Sequence, residues 1–344
     1  MNKRMFLVAV VSLLTLGLAQ ARAADEISVA VGGKAIIAYL PLTLADELGY
    51  FKDAGVTVTV NDVGSGTKMA EALVGGSAEI GFGSYEHVLH LRPKGIDVVL
   101  ITLFNHTYGV VAGLDKAHAA KYHSPKDLKG LRMGVIAPGS SMDVALQLLL
   151  AKDGLGHDDV SVIGVGAGAG AIAAMKSGQL DGIVHADPII SRLLQDGDIV
   201  PIVDTRTEAG IKYLYNGFFA GSAVLTREAI IKAKPKAVQE FTTAVIRAFR
   251  FMQHAPVDEV MKLVPKEYYG PDSDIYRQTL ITDRDVPGIF APSGAIDVDS
   301  ARTTLNDLAI FDPVLKGHEK DFDIAASYDN RFVDEANRKL GPAK

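Results

Sequence analysis

The sequence predicts an α/β fold in two similar lobes. Two observations carry this: one pattern of strand, glycine-rich loop and helix is written twice, and the chain is long enough for two cores. Its 344 residues are 48% hydrophobic and contain no cysteine. Stability must therefore come from burial rather than disulfides, and a chain of this length splits into more than one core.

The first copy runs from "ISVAVGG" (27–33), a strand ending in glycines, into the helix "LPLTLADEL" (40–48). "VTVTVNDVGSG" (56–66) is the next strand and loop, "TKMAEALVGG" (67–76) a helix and "AEIGFGS" (78–84) a strand. The second copy repeats the order: "LRMGVIAPGSS" (131–141), "MDVALQLLLAKDG" (142–154), "VSVIGVGAGAG" (160–170), "AIAAMKSGQ" (171–179) and "LDGIVHADP" (180–188). Glu79 and Asp181 stand at matching places in the two copies. Alternating strands and helices build a mainly parallel sheet flanked by helices, with right-handed crossovers. The loops after the strands' carboxyl ends then gather on one edge, where ligands bind. Downstream, 226–255 carries apolar residues at helical spacing, interrupted by Pro235. No further run of alternating elements follows, so these C-terminal helices are expected to brace the first lobe. The expected division is 25–107 with 220–344 as lobe I and 108–219 as lobe II. Two antiparallel hinge strands are expected near 104–111 and 215–224.

The amino terminus reads as an export signal. Lys3 and Arg4 precede an apolar stretch from Met5 to Leu18, and Ala21-Arg22-Ala23 supplies small residues for cleavage. Residues 1–23 are thus expected to be a cleavable signal peptide, too short in their apolar part to span a bilayer. Removing Lys3, Arg4 and Arg22 moves the formal charge from −6 to −9. An acidic chain lacks a phosphate-neutralising surface, which argues against nucleic acid as a partner.

The segments "PLTLADELGYFKDAGVTVTV", "GSGTKMAEALVGGSAEIGFGS", "SPKDLKGLRMGVIAPGSS" and "ALQLLLAKDGL…MKSGQLDGIVHADP" resemble the periplasmic solute-binding proteins of nitrate/sulfonate/taurine-type ABC importers, a group that includes binders of thiamine pyrimidine precursors. The resemblance covers roughly 27–225 well and the C-terminal helices loosely. It implies the type II, venus-flytrap periplasmic-binding-protein fold and a periplasmic location. It also implies capture of a small solute between the lobes and delivery to an ABC permease with its ATPase subunits. A monomer without cofactor, metal or catalytic residues is expected.

Candidate ligand contacts come from the loops at the common edge. Gly33, Lys34 and Tyr39 lie in or beside the loop before the Pro-started helix. Ser65, Gly66, Thr67 and Lys68 open one helix, and Ser140 and Ser141 open another; unpaired amides at a helix start favour an oxyanion. Ser84, Tyr85 and His87 follow a strand, while His106, Tyr108 and Asn216 fall at the expected hinges. The Trp-Asp-Pro that the resemblance implies stands here as His185-Ala186-Asp187-Pro188: Asp187 matches, the Trp is missing, and His185 is expected either to face the solute or to sit satisfied at the core's edge. Tyr50 and Phe51, at the end of the first helix, read as scaffold. Rings and amides together suit a small organic anion, sulfonate or carboxylate, with a flat or apolar body; nitrate, bicarbonate or a pyrimidine precursor is the alternative.

Three other classes were weighed. His87 and His90 at i, i+3, with Glu86 and His106, could hold a metal ion. Gly166-x-Gly168-x-x-Ala171 follows a strand, but in the second copy, whereas a dinucleotide fingerprint opens its fold. A pyrimidine-synthesis enzyme would need a nucleophile, base and acid; the chain has no cysteine, and Ser140 lacks the nucleophile-elbow pattern.

Overall fold

A computed structural model describes residues 25–270, 272–286 and 289–342. The expected signal peptide, 1–23, lies outside the described residues. Ten strands form two five-stranded sheets: β1 Asp25–Val31, β2 Val56–Asp62, β3 Ile80–Ser84, β4 Val98–Leu103, β5 Val111–Leu114, β6 Arg132–Val135, β7 Ser161–Gly164, β8 Gly182–His185, β9 Val200–Asp204 and β10 Ser222–Arg227. The strand orders are β2-β1-β3-β10-β4 and β7-β6-β8-β5-β9. Each sheet has four parallel strands and one antiparallel strand, β10 in the first and β5 in the second. β10 returns late to sit between β3 and β4, and β5 enters early to sit between β8 and β9. Each sheet is therefore mixed. β3 and β4 are buried along their whole length, as strands covered on both faces are, and both read as apolar runs.

Two crossings join the sheets, 104–110 and 215–221. They run antiparallel, with the Phe104 N–H on the Ser222 carbonyl (2.8 Å), Gly221 on Asn105 (3.0 Å) and Phe219 on His106 (3.0 Å). Regular strand stops short of the expected hinge strands, because the Asn105 side-chain oxygen takes the Ser222 N–H (2.6 Å) where a ladder would use backbone. A third segment joins through a bridge between Asn105 and Phe290.

The helix Pro235–His254, with proline at its first position, packs on the helices Leu40–Glu47, Tyr50–Asp53 and Arg331–Leu340. Phe241 stacks on Phe51 at 5.2 Å, and Phe104 meets Phe82 at 5.6 Å and Phe249 at 5.2 Å. The Arg247 guanidinium lies over the Tyr50 ring at 3.7 Å. Tyr50 and Phe51 thus fasten the first helix to the C-terminal helices, far from any ligand-facing loop. No helix among the described residues is long and apolar enough to cross a membrane.

Candidate functional site

The loop-bearing edges of the two sheets meet, and the meeting line is closed. Thr67 Oγ1 donates to the Pro138 carbonyl at 3.1 Å. Ser84 and Ser141 share a hydroxyl–hydroxyl bond of 2.6 Å, and Ser141 Oγ lies 2.6 Å from Glu86 Oε1. Gly33, at φ +131, sits against Ala167, where a Cβ would come within 2.7 Å of the alanine methyl. Between the lips lie two cavities of about 20 Å³ each. Both touch Ile36, Ala38, Tyr108 and Ala186; one adds Tyr39, Gly66, Ser140, Ser141 and Ser222, the other Asp187 and Asp283. Neither holds more than about one water, so an organic solute enters only if the lobes part.

Glu86 is the centre of this line. It is fully buried (0% exposed). Tyr108 donates its hydroxyl to Oε2, and Ser141 donates to Oε1. Burial, then the Glu86 charge, pushes the Tyr108 phenol well above its ordinary range; the Tyr39 phenol is raised in the same way. The only basic group within 4 Å among the described residues is His87, whose Nε2 stands 3.7 Å from Oε1. Burial lowers the pKa of His87, favouring the neutral ring, and its Nε2 has no hydrogen-bond partner. Position 66 must be glycine here, because a Cβ would lie 2.5 Å from that nitrogen.

Several expected contacts sit at this line: Gly33, Tyr39, Ser65, Gly66, Thr67, Ser84, His87, Tyr108, Ser140 and Ser141. The helices Gly66–Gly75 and Ser141–Ala151 both point their amino ends at it. Ser65 caps the first, accepting the Lys68 N–H at 3.3 Å, and Ser140 Oγ accepts the Ala137 N–H at 3.3 Å.

Other expectations need correction. Lys68 is exposed, because the turn of its helix carries the side chain outward while the N–H serves the cap. Lys34 lies at the loop's outer side and gives its N–H to Asp62 (3.0 Å). Tyr85 points into the first lobe's core, its hydroxyl on Ser327 at 2.5 Å. His106 packs on Phe218 at 4.8 Å, away from the line. Asn216 is exposed and bonds Asp307 at 2.5 Å. His185 is buried and satisfied: Nε2 donates to the Gly166 carbonyl (3.1 Å) while Nδ1 accepts the Ala186 N–H (3.0 Å), and burial lowers its pKa. Asp187 does reach a cavity, but its charge is spent on Arg206 (3.0 Å) and on the Ser191 N–H (2.9 Å).

Glu86 and Arg206 are the groups that sequence reasoning missed. Glu86 was weighed only as a metal ligand, although it follows β3 as Asp187 follows β8. Arg206 lies in no motif. It binds Asp204 at 2.8 Å as well as Asp187, and Asp283 faces the same group with a carboxyl pushed well up by burial and then by Asp187. The rival metal reading finds no cluster of His87, His90, Glu86 and His106 among the described residues, where His90 pairs with Asp312 at 2.9 Å. Asp115, His118 and Asp181 come close together, but His118 is held by Asp115 (2.9 Å) and Asp181 by Arg132 (2.5 Å), so their arrangement is ordinary charge pairing. In the glycine loop 164–170 the Gly166 carbonyl is taken by His185 at 3.1 Å.

Two wider depressions, about 670 Å³ beside His90 and Phe311 and about 280 Å³ beside Arg192 and Tyr276, open on the surface. Neither gathers buried polar groups from both lobes as the closed line does.

Residues 37–259 match the profile of the family described as NMT1/THI5 like. A solved structure from Bordetella bronchiseptica RB50 is 39% identical, with a TM-score of 0.86 over 92% of this chain and 98% of that one. The periplasmic nitrate-binding protein NrtA of Synechocystis PCC 6803 is 15% identical, with a TM-score of 0.71 over 93% and 90%, and shares the fold. A 4-amino-5-hydroxymethyl-2-methylpyrimidine phosphate synthase of Aspergillus parasiticus is 25% identical over 67% of this chain and 68% of its own length.

Proposed function

The chain belongs to the NMT1/THI5-like family, and from that premise we propose that it is the exported, solute-binding component of an ABC importer. Open lobes admit a small organic solute; closure buries it at the line between Gly33, Ser65–Thr67 and Ser84 on one side and Ser140–Ser141 on the other. The closed form is what a membrane permease with its ATPase subunits receives. The observation that carries this reading is the set of hydroxyl contacts across the lobes, Ser84 with the Ser141 hydroxyl and Thr67 with the Pro138 carbonyl. Contacts so short and so few are a closure that a solute can replace.

The solute is an organic acid, sulfonate or carboxylate. Its acidic end belongs at the facing helix starts of Gly66 and Ser141, where amide dipoles favour negative charge. Its body belongs between the Tyr39 and Tyr108 rings. A thermal-shift screen with sulfonates, aromatic acids, nitrate and pyrimidines tests this. A true solute raises the melting temperature through mass action, by about 2.7 kcal/mol of stability at one hundred times its Kd. Silence to every acid in the screen would end the organic-acid reading.

A pyrimidine precursor is the second reading, favoured by the relative that makes a phosphorylated pyrimidine. An enzyme of that kind would turn over its substrate. The cleft groups make no nucleophile–base pair beyond Ser141 on Glu86, and incubation that leaves every probe unchanged separates binder from enzyme.

A further inference from the structure

We infer that Glu86 is the specificity-determining group of the cleft and that the solute must bring it a hydrogen-bond donor, an amine above all. The inference rests on the binding reading and deepens it: the organic acid also carries an amino group. Glu86 is fully buried, and its two observed donors are hydroxyls. Tyr108, in the crossing between the lobes, gives one. Ser141 gives the other, from the far lobe. No lysine or arginine comes within 4 Å of Glu86 among the described residues, and burial lowers the pKa of neighbouring His87, whose Nε2 stands 3.7 Å away.

Ser141 can serve Glu86 only while the lobes are shut with nothing between them. The two cavities beside Ser141 and Tyr108 are about 20 Å³ each, so a solute that enters there separates Ser141 from Ser84 and Glu86. The carboxylate would then be buried by the solute itself with a lone pair unmet, which is costly. A solute that offers an N–H there restores what Ser141 supplied; a solute that offers a methyl or a second oxyanion does not. Glu86 itself lines neither cavity; its donors Tyr108 and Ser141 both line the one with Gly66 and Ser140, so an amine reaches the carboxylate by displacing the Ser141 hydroxyl, beside the helix starts that take the acid.

The test uses pairs that differ only in an amine and a methyl of similar size: taurine against propane-1-sulfonate, 4-aminobenzenesulfonate against 4-methylbenzenesulfonate, and 4-amino-2-methylpyrimidine against 2,4-dimethylpyrimidine. Titration calorimetry on the full chain is expected to give the amine of at least one pair roughly tenfold or more tighter binding than its methyl partner, the scale of a hydrogen bond to a charged group. Glu86→Gln should bring the two members to near parity, and Glu86→Asp, which keeps the charge, should retain part of the preference. Equal or tighter binding of the methyl members, or a preference that survives Glu86→Gln, overturns the role of Glu86 and leaves the binding reading standing. Silence from all six compounds while some other acid in the wider screen binds also overturns the amine requirement alone. Silence from every compound overturns both. The pair comparison on the unaltered chain stands even if a variant fails to fold.

Discussion

Glu86 and Asp187 occupy the same place in the repeated plan, each two residues past the end of the strand, β3 or β8, that lies beside the antiparallel strand of its sheet. Both are buried carboxylates beside the cleft. Their partners differ. Asp187 is neutralised by the Arg206 guanidinium and by a helix-turn amide, whereas Glu86 has two hydroxyls. The second lobe satisfies its charge internally and can move as a finished body. The first lobe leaves its charge to be satisfied by whatever the other lobe, or a solute, presents. A repeated backbone thus supplies one equivalent position twice, and the nearest side chain decides whether that position is scaffold or sensor.

The difference can be broken from the second lobe. Arg206→Met would leave Asp187 and Asp204 buried or half-buried without their cation, and removing one partner of a buried pair costs about 3 kcal/mol. The matching change in the first lobe, Glu86→Gln, should cost less than about 1 kcal/mol, since its hydroxyl partners remain. Urea unfolding of both variants checks this; equal losses would mean that the two carboxylates play one role.

A smaller effect is expected at the contact between lobes. Ser141→Ala takes one donor from the buried Glu86 and its bond to Ser84, weakening the closed form by about 1–2 kcal/mol. Small-angle scattering should then report a larger radius of gyration than for the unaltered chain. An unchanged radius and unchanged melting would show that Ser141 does not hold the lobes together.

The smallest effect is in pH. His185 in the second lobe and His87 in the first both have pKa values lowered by burial. The unfolded chain therefore binds protons that the folded chain resists, and stability is lost as pH falls through about 6.5 toward the folded values. Melting temperature should fall modestly between about pH 7 and pH 5.5. His185→Gln should flatten that slope, the amide reproducing the bond to Gly166. A slope that is unchanged would assign the titration to His87 or to other groups.

Much of the fold was legible because periodicity and glycine placement act locally. Strands such as "ISVAV" and "VTVTV", and helix starts at Ser65 and Ser140, depend on neighbours within a few residues. The antiparallel placement of β10 between β3 and β4, and of β5 between β8 and β9, was less legible, since an antiparallel strand between parallel ones is fixed by chain return and not by its own residues. The site was legible in part. The structure brings the hydroxyls of Thr67, Ser84 and Ser141 to one line, whereas Lys68, expected beside them for its charge, is carried outward by one helical step. Arg206 was invisible because its partner Asp187 lies nineteen positions earlier in sequence and on another loop. Glu86 had a usable signal. Glu79 and Asp181 lie 102 positions apart and Glu86 and Asp187 lie 101 apart, so the repeat brings Glu86 within one position of Asp187, the second strand being shorter by a residue.

The hydroxyl of Ser141 makes the protein its own competitor. On the proposed reading an entering solute must first displace this internal bond, so the measured dissociation constant is the intrinsic one divided by the fraction of chains standing open. Weak visitors are turned away by this alone, and only a molecule that outbids a serine for the same carboxylate stays.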